Sequence, residues 1–110
     1  MAQVLLNAVT ATGAGTAWQA RDTSAIATYT QHSFQAVGST TASTGAATIV
    51  IEASNDGTNY VTMATITLTL STTPSSDGFA AANSWEFYRA RVSAISGTGA
   101  NVTVYVRGCL

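Results

Sequence analysis

Ser54, Asn55, Asp56 and Asn59, in the stretch IEASNDGTNYVTM, set four oxygen-bearing side chains around one glycine. Such a grouping could ligate calcium or hydrogen-bond a sugar. Calcium takes about six to eight oxygens, several of them usually carboxylate, whereas this stretch offers one acid, with Glu52 directed back into the preceding alternating run. Asp56-Gly57 between two alternating runs is also a hairpin signal, because Asp and Gly accept the positive φ angles that hairpin turns require. The expectation is a tight turn between two strands, without metal.

His32 is the lone histidine and Cys109 the lone cysteine. A zinc site would have to combine them with distant carboxylates at no recognisable ligand spacing, and a serine or cysteine hydrolase would have to recruit His32 as its base without a G-x-S-x-G elbow. A structural or solvent-facing histidine is the simpler reading. The acids are Asp22, Glu52, Asp56, Asp77 and Glu86. Carboxylates meet in space rather than in sequence order, but Asp56 and Asp77 both adjoin glycine in turn-like sequence, and turn or surface roles are expected. Asn101-Val102-Thr103 matches a glycosylation acceptor inside a predicted strand, which is a chance match. No catalytic residue, cofactor or metal is expected, and the chain is read as a non-enzyme.

Arg89, Arg91, Tyr105 and Arg107 are the remaining candidates. In WEFYRARVSAI, Tyr88, Ala90, Val92 and Ala94 share one face of a strand, which turns Phe87, Arg89, Arg91 and Ser93 to the other. In VTVYV, Val102, Val104 and Val106 oppose Thr103 and Tyr105. With SGTG joining the two strands, the three arginines and Tyr105 are expected to form one cationic, aromatic stripe on an exposed sheet face. Arginine and tyrosine combine apolar area with directional hydrogen bonds and are enriched at interfaces. The stripe is therefore a candidate partner-binding surface, its alternative being a solvated outer face.

The elements that must carry these residues are strands. In ATITLTL, Ile66, Leu68 and Leu70 alternate with Thr65, Thr67 and Thr69, and in TIVIEAS, Ile49, Ile51 and Ala53 alternate with Val50, Glu52 and Ser54, the pattern of half-buried strands. VLLNAV, TAWQA and SFQAVG are weaker strands, and AIATYT is ambiguous. TGAG, GSTTASTG, SNDG, STTPSSDG and SGTG punctuate the runs as turns. Short strands at such spacing predict an all-β antiparallel β-sandwich, jelly-roll or Ig-like, or a small barrel. Residues 1–110 are read as a single domain, with residues 1–20 an extended arm or edge strand.

Charged residues make up 8% of the chain, with no lysine and a net charge of −1, against about 25% charged in an average soluble protein. So little charge protects poorly against association, and much of the surface is expected to be covered by partners. The acidic balance speaks against nucleic acid, whose binding needs clustered basic residues. No stretch is long enough for a helical membrane span, and no basic residue precedes Arg21 to start a secretion signal. A lone cysteine leaves no internal disulfide, so Cys109 is expected as a free thiol. Synthesis in a cytoplasm follows.

From SFQAVG onward the chain resembles small structural proteins of tailed-phage virions, and is most similar to head decoration, or cement, proteins of β-sandwich fold. The resemblance rests on the SNDGTNY hairpin, the SSDGF turn, the W-x-x-YRARV strand and the SGTGANVTVYV closing hairpin. It implies a homo-oligomeric protein made in a bacterial cytoplasm that binds the exterior of the virion shell and stabilises it, with the major capsid protein or another virion protein as partner. A neck, tail or fibre component would share the same composition. A carbohydrate-binding module would need a concave site, for which Trp18, Trp85, Tyr60 and Asn59 are the suppliers.

Overall fold

The computed structural model describes residues 3–20 and 29–109. Among them the fold is all-β, two antiparallel sheets packed face to face as a sandwich. One sheet has the order β1-β9-β4-β7, built from β1 (Gln3–Val9), β9 (Asn101–Cys109), β4 (Gln31–Ser39) and β7 (Ser75–Ala81). The other has the order β2-β8-β5-β6, from β2 (Gly13–Ala14), β8 (Phe87–Thr98), β5 (Ala42–Ser54) and β6 (Val61–Leu70), with β3 (Trp18–Gln19) also paired to β8. The amino-terminal segment thus supplies β1 at one edge and the short β2 and β3.

Alternation places the core. Ile49, Ile51 and Ala53 of β5, Ile66, Leu68 and Leu70 of β6, Tyr88, Ala90 and Val92 of β8, and Val102, Val104 and Val106 of β9 all point between the sheets and are buried. Thr65, Thr67 and Thr69 face solvent. Burying the apolar half of each strand at about 25 cal/mol per Å² is what holds two sheets of such polar outer composition together.

The departures from strict alternation have local causes. Ala94 is exposed rather than buried, because a bulge at Ser93 shifts the register: Ile49 opposes Val92, but Thr48 opposes Ala94 and Ala47 opposes Ile95. Beyond it Ile95 takes over the inward role and packs on the core. In β1 the register shifts between Val4 and Leu6, so the adjacent Leu5 and Leu6 are both buried. SSDGF is not a turn but part of β7, paired with β4 from Ser75 opposite Gly38 to Ala81 opposite His32. Gly78 serves close approach, since a Cβ there would collide with the Phe34 carbonyl oxygen. Asp77 accordingly sits in an edge strand. Of AIATYT, residues 25–28 lie outside the described residues, as do Arg21 and Asp22.

SGTG does join β8 to β9, but as a crossing between sheets. Gly97 and Gly99 take φ of +114° and +64° there, and Ala100 N–H donates to the Gly97 carbonyl at 3.3 Å. Strand β8 then pairs with β5, while β9 pairs with β1 and β4.

Candidate binding surface

That crossing overturns the single stripe. Arg89 and Arg91 lie on the outer face of the β5–β8 sheet, and Tyr105 and Arg107 on the outer face of the opposite sheet. Alternation fixes which side chains point outward from a strand, but not which sheet the strand joins. The four residues form two separate surfaces.

The first surface is organised by Glu52. Residue 52 of β5 stands directly across from Arg89, and Val50 across from Arg91. The Nε of Arg89 donates to Glu52 Oε1 at 2.7 Å, and the Nε of Arg91 donates to Oε2 at 3.2 Å. The Glu52 side chain is only 10% exposed, against 29% for Arg89 and 38% for Arg91. The Arg89 guanidinium also lies over the Tyr60 ring, 3.8 Å from its centroid, a cation–π contact. One carboxylate therefore holds two guanidiniums side by side through their Nε atoms. Two guanidiniums against one carboxylate leave the cluster an excess positive charge, and both arginine side chains remain partly exposed.

The second surface is softer. Arg107 is exposed and makes no ion pair among the described residues. Together with Ser33 it borders two adjoining shallow hollows of about 250 and 210 Å³, reaching Gln31 and Ala80 on one side and Gln35 and Tyr105 on the other.

The Asp56 loop is self-contained. Asp56 Oδ1 accepts from the Ser54 hydroxyl and from the Thr58 and Asn59 N–H groups, each at 2.8 Å, and Oδ2 accepts from the Asn59 amide at 2.9 Å. Those bonds, the Asn59 N–H and amide foremost, hold the carboxyl well below the usual carboxylate range. Gly57 supplies the positive φ, +74°. The oxygens that could have faced a cation close a six-residue turn instead, longer than a two-residue hairpin loop.

His32 is buried rather than solvent-facing. Its ring packs among Trp18, Tyr29, Phe34 and Tyr88, with the Tyr88 ring centroid at 4.4 Å. The Tyr88 hydroxyl donates to Asn83 Oδ1 and accepts from the Trp85 N–H at 3.1 Å. The same hydroxyl lies 3.2 Å from His32 Nδ1, within hydrogen-bonding distance. Among the described residues Nε2 is buried without a hydrogen-bond partner. Burial lowers the His32 pKa, partly opposed by Asn83, and burial raises that of Tyr88, partly opposed by the Trp85 N–H.

The sugar-site candidates each have contacts of their own. Trp18 is stacked on Tyr29 at 5.9 Å within the aromatic cluster, Tyr60 lies beneath Arg89, and Asn59 closes the Asp56 turn. Trp85 borders a separate small hollow with Asn55 and Ser84. Sequence reading missed Glu52 as the organiser of the arginine pair. Its signal was present: an acid and two arginines on the outward registers of two long alternating strands.

Comparison with protein-family models, with curated proteins and with solved structures finds no match to this chain.

Proposed function

We propose that this chain is a non-enzymatic structural protein that works by binding another protein's surface, and that the surface is the exterior of a tailed-phage capsid. The observation that carries this reading is the arginine pair held by Glu52. Side chains already ordered lose less entropy on binding, and a guanidinium fork matches a carboxylate in two places. An acidic or carbonyl-rich capsid surface is the complement.

Two further features support it. Two of the side chains weighed for catalysis have structural roles, His32 in the aromatic cluster and Asp56 in its turn. The 8% charge content leaves wide neutral faces suited to coverage in an assembly, where repetition on a shell turns modest contacts into durable attachment. The chain's copy number in purified particles tests the reading. A number that scales with the shell subunits supports capsid decoration, a handful per particle points to a neck or tail position, and absence from particles removes the virion reading.

A further inference from the structure

Among the described residues each sheet has two edges, and three of the four are blunted. Strand β1 is interrupted by two register shifts and a positive φ at Ala8. Strand β7 is short, carries Asp77 and follows Pro74, and β2 and β3 are two residues each. Strand β6 is less guarded: VTMATITLTL runs ten residues without a charge or a proline, and its one register shift lies before Ala64, leaving Ala64 to Leu70 in regular pairing with β5. Natural sheets use such devices to stop edges from pairing, so an unguarded edge asks for an occupant.

The direction of its main chain can be read from its neighbours. Ala46 N–H donates to Ser96 Oγ and the Thr48 carbonyl accepts from Ser93 Oγ, both towards β8. Ala46 and Thr48, opposite Thr69 and Thr67, therefore turn their main chain away from β6, and these are the non-hydrogen-bonded pairs of the ladder. Thr65, Thr67 and Thr69 must then direct their own N–H and C=O groups to the open edge. The Thr69 carbonyl confirms it by accepting from Ser75 Oγ at 2.8 Å, from outside the sheet. Beyond Ala64 the register shifts, and Asn83 covers Met63. The main-chain groups of Thr65 and Thr67 remain without a partner among the described residues.

We infer that this window pairs with the same window of a second copy of the chain, antiparallel, about a two-fold axis at Ile66. Thr65 of each copy then meets Thr67 of the other, each pair exchanging both N–H···O bonds. A strand with no charge meets no repulsion from its own copy. The two-fold keeps outer faces together, so threonine hydroxyls adjoin threonine hydroxyls and Ile66 adjoins Ile66, with matched polarity on both faces. The contact closes on itself as a dimer rather than propagating as a fibre. It holds whether or not the chain binds a shell.

Sedimentation of the purified chain across concentration, with amide exchange read at Thr65 and Thr67, tests this. The parent is expected to sediment as a concentration-dependent dimer in which those two amides slow on association. Thr67→Pro removes an N–H that the β5 ladder does not use, which an edge strand tolerates, and should weaken the dimer about tenfold or more. A parent that stays monomeric, a dimer whose Thr65 and Thr67 amides exchange freely, or a folded Thr67→Pro variant that dimerises like the parent overturns it. Should the proline variant not fold, the amide exchange of the parent decides.

Discussion

Replacing Glu52 by Gln keeps the volume of the side chain but removes the charge that holds Arg89 and Arg91 together. One of the two Nε–H groups then faces an amide NH₂, donor against donor. The magnitude follows from the surroundings. Stranding a charge by removing one partner of a buried pair costs about 3–5 kcal/mol, and losing an exposed pair costs about 0–1 kcal/mol. Glu52 belongs to the first class at 10% exposure, while the arginines at 29% and 38% can recover part of their hydration. A loss of about 2 kcal/mol is expected between those limits. Urea unfolding of parent and variant measures it, with the midpoint moving and the slope unchanged. Arg107→Ala, which breaks no ion pair among the described residues, should stay within about 0.5 kcal/mol of the parent and serves as the reference. A Glu52→Gln loss no larger than that of Arg107→Ala would show that the arginine pair is merely solvated, and the case for an ordered contact surface would fail.

Tyr88→Phe removes the hydroxyl shared by the Trp85 N–H, Asn83 Oδ1 and His32 Nδ1 and should cost about 1–3 kcal/mol by denaturant unfolding. His32 makes stability depend on acid. Its folded pKa is lowered from an ordinary value near 6.5, so the unfolded chain takes up the proton first, and stability is full above that value and falls as pH drops below it. A melting temperature that declines through this window in the parent but not in His32→Phe is the expected result, and equal declines would place the titrating group elsewhere. Gly78→Ala, whose Cβ would meet the Phe34 carbonyl, should loosen β7 from β4 at a cost of about 1–3 kcal/mol, read as faster amide exchange confined to β7.

The strands richest in alternation were legible residue by residue, because burial of one face leaves its imprint at every second position. Ile66, Leu68 and Leu70, and the three valines of β9, are cases in point. Legibility stopped where the backbone departs from the period. Leu5 and Leu6 read weakly because a bulge buries both, and Ala94 read as inward because Ser93 shifts the register. SSDG carries turn residues yet forms a strand, its glycine dictated by the approach of Phe34 and not by a bend. The binding surface was half legible. Alternation turned Arg89, Arg91, Tyr105 and Arg107 outward correctly, but the placing of β8 and β9 in different sheets depends on long-range pairing that local pattern does not encode. Tyr60 and Glu52 join the arginines only through that pairing.

The Glu52-held arginine pair is proposed to seat the chain on the outside of a capsid. A reconstruction of shells decorated with this protein, at side-chain resolution, tests it most directly. The expected result is density on the shell exterior with the outer face of the β5–β8 sheet turned towards the capsid subunits and the guanidiniums of Arg89 and Arg91 within hydrogen-bonding distance of their acidic or carbonyl oxygens. Density at the neck or tail, or a chain seated on the shell with Arg89 and Arg91 facing solvent, would contradict it.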